Sequence, residues 1–161
     1  MRVLLTAFKN TSSEALVKSI SGYDPLILEN DREKSVKQLE QALQKEEYRY
    51  IFSFGQRPLI KDKIHIEDKA AVNGEMLKTS FDMEKLKKAF EKYEIAARLS
   101  HNSGTSYCNN IYYHGMKMIA EKSLNTKMVF IHIPYIKNIS NSDDFFHSAE
   151  KGIVDFISEV I

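Results

Sequence analysis

Met128-Val129-Phe130-Ile131-His132-Ile133-Pro134 is an apolar run broken by one imidazole and closed by a proline. A run of this kind reads as a strand buried on both faces, the environment of a mostly parallel sheet with helices on either side. Working outward, further short apolar runs occupy 2–7, 25–29, 48–54 and 95–99. They alternate with stretches of helical period at 12–21, 33–45, 82–93, 108–122 and 142–160. The alternation predicts a three-layer α/β fold, with a mostly parallel twisted sheet flanked by helices on both faces, rather than a bundle or a sandwich. Several helix starts carry capping chemistry. Ser12 precedes Glu14-Ala15-Leu16-Val17, Asp82 precedes Met83-Glu84-Lys85-Leu86, and Ser142-Asp143-Asp144 opens the last helix with acceptors and negative charge.

Residues 56–79 follow neither period. Pro58, the alternation Lys63-Ile64-His65-Ile66-Glu67 and the pair Asn73-Gly74 read as an extended excursion or hairpin ending in an Asn-Gly turn. Long excursions after a sheet strand often carry function.

Composition narrows the function classes. With 161 residues and 43% apolar content, one domain spanning 1–161 is expected. A net charge of +1, from 23 basic and 22 acidic residues, lacks the basic field that nucleic-acid binding needs. The apolar start Val3-Leu4-Leu5 is shorter than a signal-peptide core, and no later segment reaches spanning length, so a cytoplasmic chain with no membrane partner is expected. One cysteine excludes an intrachain disulfide and a cysteine-rich zinc site, and no histidine pair has metal-ligand spacing. No glycine-rich phosphate loop occurs, so neither a metal nor another cofactor is expected.

Cys108 is therefore either a buried apolar filler or a reactive thiol. The segment Ser100-His101-Asn102-Ser103-Gly104-Thr105-Ser106-Tyr107-Cys108 links a predicted strand to a predicted helix and sets the thiol near a helix N-terminus. Unpaired N–H groups and the helix dipole there favour a thiolate and can hold an oxyanion. A helix from Cys108 to 122 descends roughly 22 Å, and a strand over 127–133 climbs back roughly 22 Å. His132 then surfaces at the edge from which Cys108 departed, the edge where open α/β sheets bind ligands. A satisfied core histidine is the alternative, and the matched lengths favour a base paired with the thiol. Glu67 and Asp68 both lie in the excursion and either can reach back to orient that base; a solvated acidic pair beside Lys69 is the other reading of them. His101 is a pocket-lining candidate and His114 a structural one, while His65 and His147 have no chemical neighbours in the sequence.

At these residues the chain resembles the pyroglutamyl-peptidase family, cysteine peptidases also called pyrrolidone-carboxylate peptidases. Ser103-Gly104-Thr105-Ser106-Tyr107-Cys108-Asn109-Asn110 is similar to its nucleophile segment, and Phe130-Ile131-His132-Ile133-Pro134-Tyr135 to its histidine motif. Leu4-Leu5-Thr6-Ala7-Phe8, Phe54-Gly55-Gln56 and Ile66-Glu67-Asp68-Lys69-Ala70-Ala71-Val72-Asn73 resemble its first strand, its Val-Gly-Gln and its glutamate segment. The resemblance implies removal of an N-terminal pyroglutamyl residue from peptides by a Cys108, His132 and Glu67 triad, with Asp68 as the alternative acid. It also implies substrate contacts at Phe8, Gln56, Gly104, Thr105, Ser106 and Tyr107, no cofactor, and a homodimer or homotetramer.

Three family features are missing. Phe8-Lys9-Asn10 runs on to Thr11 where the family has Pro-Phe-Gly-Gly, Ser106 stands where it has a pocket aromatic, and its Ala-Arg-Ile-Pro-Asp-Asn stretch gives way to Gly74-Glu75-Met76-Leu77. Trimmed pocket parts bear on specificity more than on chemistry. Hydrolysis of another small amide or ester is thus an alternative, as is a non-catalytic descendant that binds a ligand or partner.

Overall fold

The computed structural model describes residues 2–160; Met1 and Ile161, the ends of the expected 1–161 domain, lie outside the described residues. The order is β1 (Val3–Phe8), α1 (Ser12–Ser19), β2 (Leu26–Leu28), α2 (Arg32–Lys45), β3 (Tyr50–Arg57), β4 (Lys63–Glu67), β5 (Lys69–Val72), β6 (Glu75–Lys78), α3 (Met83–Lys92), β7 (Ala96–Ser100), α4 (Tyr107–Glu121), β8 (Lys127–Pro134), a 3-10 turn (Ile136–Asn138) and α5 (Ser142–Val160). Six strands form one sheet in the order β2-β1-β3-β8-β4-β7, and β5 and β6 pair separately. Every pairing in the large sheet is parallel except β4 with β8. The expected three-layer α/β architecture with a mostly parallel sheet is what the chain forms.

Alternation along β8 explains the layers. Val129, Ile131 and Ile133 point into one core with Leu16 and Val17 of α1, Leu86 and Phe90 of α3, and Ala149, Ile153 and Phe156 of α5. Its densest part is aromatic: Phe81 stacks on Phe156 at 4.9 Å between ring centroids, and Phe52 meets Phe81 edge-on at 5.3 Å. Met128 and Phe130 point the other way, into a second core with Leu39 of α2 and Cys108, Ile111, Tyr112 and Met116 of α4.

The excursion departs from its sequence reading in one consequential respect. Its hairpin exists: β5 and β6 close on Asn73 (φ 50°) and Gly74 (φ 80°), the left-handed pair a two-residue turn needs. The alternating stretch before it, however, is an inner strand of the main sheet. β4 inserts between β8 and β7, antiparallel to β8 and parallel to β7. The chain from β7 through α4 to β8 is consequently no parallel crossover, because β7 runs opposite to β8. Ser100 at the end of β7 is level with Glu67 and Phe130, and residues 101–106 carry the chain toward the edge where β8 ends.

Caps follow the expected chemistry with a shift of one residue at α5, where the Asn141 side chain and not Ser142 accepts from Asp144 N at 3.1 Å, and at α1. Thr11, not Ser12, is its cap, accepting from Glu14 N at 3.2 Å and donating from its hydroxyl to Phe8 O at 2.7 Å. Ser12 instead donates to Pro134 O at 2.7 Å, joining α1 to the end of β8. Asp31 and Asp82 cap α2 and α3. Thr11→Ala should lower stability by about 1 kcal/mol, read as a shift of the urea midpoint with an unchanged slope.

Candidate active site

Register gathers the residues of interest into one row. Gly55 of β3, His132 of β8 and His65 of β4 are direct neighbours across three strands. Neighbours in register share a face, so His132, His65, Phe130 and Glu67 all face α4. Helix α4 begins at Tyr107, and its second residue, Cys108, sits over Gly55: a Cβ built there would fall 2.5 Å from Sγ and 2.8 Å from the Phe130 ring. Absence of a side chain at position 55 lets the helix start descend onto the sheet, which sets the sulfur in the row that holds His132. Cys108 keeps 8% of its surface exposed.

Glu67, two residues beyond His65 on the same face, is fully buried. Its Oε1 lies 3.0 Å from His132 Nδ1 and accepts from Arg57 Nη1 at 2.9 Å. A carboxylate only accepts, so Nδ1 carries the imidazole proton and Nε2 is left as a lone-pair acceptor. Of the two acidic candidates, Glu67 is thus the one that meets His132. Asp68 pairs instead with His101, Oδ2 to Nδ1, at 2.7 Å. The loop before α4 and the first turn of α4 are bound to β5 at further points: Ser103 Oγ donates to Lys69 O, and the Asn109 amide accepts from Ala71 N at 3.0 Å and donates to Ala71 O at 2.8 Å.

The expectation that a helix N-terminus favours a thiolate does not hold here. Burial pushes the Cys108 thiol up to about 12, with the nearby Arg57 charge pulling it down and Glu67 adding to the rise. Desolvation of a charge in an apolar enclosure outweighs the half-charge of a helix end. Burial likewise holds the His132 imidazole below its ordinary 6.5, against the pull of Glu67. Both directions favour the uncharged forms, a thiol and a neutral imidazole.

The expected substrate-contacting residues divide. Tyr107 is exposed and packs on buried Phe8 at 5.9 Å between centroids, with the Arg32 guanidinium 5.9 Å from the tyrosine ring. Gly104, Thr105 and Ser106 are exposed, Gly104 with a φ of 85° and Thr105 O accepting from Arg32 at 2.8 Å. Gln56 has its carbonyl oxygen engaged by the Ser12 N–H at 3.0 Å, which ties it to the start of α1. His114 is half-buried against Tyr113 and His147 is exposed, both away from this row.

Sequence reasoning missed Arg57 and His65. Arg57 was lost because β3 runs three residues past its expected end, although Gly55 and Arg57 share a face by simple alternation. His65 stands two residues before Glu67 in the visible alternation of 63–67, and only the unrecognised pairing of β4 with β8 hid its neighbour. Among the described residues no group of His, Cys, Asp or Glu is arranged to hold a metal ion, and no helix is long and apolar enough to cross a membrane. Because a Cβ at position 55 collides with Sγ and a packed ring, Gly55→Ala should destabilise the fold by about 1–3 kcal/mol. It should also change the reactivity of Cys108, measured by urea titration and by alkylation of the folded variant.

Comparison with known proteins bears on family and fold. The sequence profile of the family described as Pyroglutamyl peptidase matches residues 57–145, more than half of the chain. A curated pyrrolidone-carboxylate peptidase from Thermosipho melanesiensis is 26% identical over 86% of this chain and 85% of its own length. Another from Brachyspira hyodysenteriae is 37% identical over a shorter stretch, 34% of this chain and 27% of that protein. Among solved structures, a mutant pyrrolidone carboxyl peptidase from Pyrococcus furiosus superposes with a TM-score of 0.86 at 19% identity, covering 100% of both chains. Pyroglutamyl peptidase I of Bacillus amyloliquefaciens gives 0.85 at 20% identity, over 98% of this chain and 97% of that one. At such identities these two likenesses speak for the fold, while the profile speaks for descent, and with both in agreement the chain belongs to the pyroglutamyl peptidase family.

Proposed function

We propose that this protein removes an N-terminal pyroglutamyl residue from peptides as a cysteine peptidase, with residues 1–161 acting as one domain. The observation that carries the reading is the hydrogen bond from His132 Nδ1 to the buried Glu67 carboxylate, beside a sulfur seated over Gly55 in the same row. Family membership supports the substrate class, and the exposed Tyr107 ring on Phe8 offers a flat apolar wall for a lactam next to the sulfur.

In this reading Cys108 is the nucleophile and His132 the base. As Sγ bonds to the pyroglutamyl carbonyl carbon, its proton passes to His132 Nε2, and backbone N–H groups from Gly104 to Cys108 receive the oxyanion. His132 then protonates the leaving amine, the C–N bond breaks, and the shortened peptide departs. Water, deprotonated by the same Nε2, hydrolyses the thioester to release pyroglutamate. Glu67 holds the imidazole in the Nδ1–H tautomer and offsets its positive charge while it carries two protons. A neutral resting pair fits this sequence: the thiol loses its proton in step with attack rather than before it.

Two results test the reading. Cys108→Ala should abolish release of a fluorogenic amine from a pyroglutamyl amide while leaving the Tm within a few degrees, and turnover surviving in the purified variant would sink the assignment. With the His132 imidazole held below 6.5 by burial, its base form persists through neutral pH and is lost only on further acidification. The acid limb of kcat/KM should therefore lie below pH 6.5, and a profile already falling steeply between pH 8 and 7 contradicts His132 as the base.

A further inference from the structure

The proposed chemistry leaves one half-buried charge without a role. Arg57 closes β3, level with Pro134 of β8, and its side chain is 22% exposed. Its Nη1 donates to Glu67 Oε1 at 2.9 Å and lies 3.3 Å from His65 Nδ1. Its Nη2 donates to the carbonyl of Asn102, in the loop that leads to Cys108. One guanidinium thus touches the acid that faces His132 and the segment that carries the sulfur.

Glu67 needs such a partner. It is fully buried, and its second oxygen, Oε2, has no hydrogen-bond partner among the described residues. A carboxylate so enclosed stays ionised only with a countercharge at hand. Neither neighbouring imidazole supplies one, because burial keeps both His65 and His132 below their ordinary value, and the Arg57 charge adds to that effect. Lys63 and Arg98 act on His65 more weakly than Arg57 does, and Asp68 is occupied with His101. His132 Nδ1–H requires an acceptor at this point, and the Glu67 carboxylate provides it.

We infer that Arg57 is a positioning residue: it supplies the countercharge that keeps Glu67 an acceptor for His132, and through Asn102 it ties the Cys108 segment to that carboxylate. The inference rests on the roles given above to Glu67 and His132. It also explains why the guanidinium reaches in two directions, since a planar fork serves a carboxylate and a carbonyl at once.

The test compares the full-length native protein with Arg57→Gln and Arg57→Lys, each checked by its Tm. Two readouts need no substrate: the imidazole 15N shifts of His132, and the pH dependence of Cys108 alkylation by iodoacetamide. Arg57→Gln should lose the uniform Nδ1–H tautomer, and its alkylation profile should move to higher pH, slowing the reaction by about tenfold at a fixed pH. On a pyroglutamyl amide its loss should fall on kcat rather than KM. Arg57→Lys, which returns the charge, should recover the tautomer and most of the alkylation rate.

A folded Arg57→Gln protein with native tautomer and superimposable alkylation profile overturns the inference. So does a folded Arg57→Lys protein as impaired as the glutamine variant. Should the glutamine variant not fold, the lysine variant decides, with native shifts and alkylation in support and loss of both against. A native protein inactive on pyroglutamyl amides would count against the proposed function and leave these substrate-free readouts intact.

Discussion

The site depends on the antiparallel pairing of β4 against β8. In a sheet otherwise built of parallel pairs, this one reversal brings Glu67 level with Phe130 and His65 level with His132, all on the face that α4 covers. A parallel β4 would exit at the carboxyl edge and leave its last residue beyond His132. Antiparallel pairing instead delivers the carboxylate from the edge inward, so that Glu67 ends beneath the imidazole in the interior. Burial at that depth makes the carboxylate a fixed acceptor, and it also creates the need for Arg57.

Packing and chemistry are coupled through position 55. The start of α4 rests on the sheet because Gly55 has no side chain, and the sulfur occupies the space so released. The same closeness desolvates the thiol, which ends well above its ordinary value despite a helix N-terminus and a nearby guanidinium. In the proposed reaction a thiol so enclosed is activated by its base during attack rather than stored as an anion.

Much of the fold was legible in the chain. β1, β2, β7, β8 and all five helices fall within a few residues of their expected bounds, because each carries a strong period or an apolar run of strand length. Asn73-Gly74 marked the β5–β6 turn for the stereochemical reason that two successive residues there need positive φ. β4 escaped because alternation shows that a stretch is extended without saying what it pairs with, and its neighbours Pro58 and Asn73-Gly74 suggested a detour outside the sheet. The shift of the α1 cap from Ser12 to Thr11 has a similar origin: two hydroxyl residues in succession are equivalent in sequence, and the pull of Pro134 O on Ser12 is a contact 122 positions away.

For the site, the sequence alone determined the chemical types, since a lone thiol in a flexible strand-to-helix segment and a histidine inside an apolar strand are unusual whatever the fold. It also limited the acid to two adjacent residues. Tertiary structure shows which of them meets His132: Glu67 lies against its Nδ1, whereas Asp68 pairs with His101, and only the pairing of β4 with β8 brings Glu67 there. Burial of the thiol is tertiary as well: a helix end is a local feature that can be read from the chain, whereas the desolvation that pushes the Cys108 thiol up comes from everything packed around it.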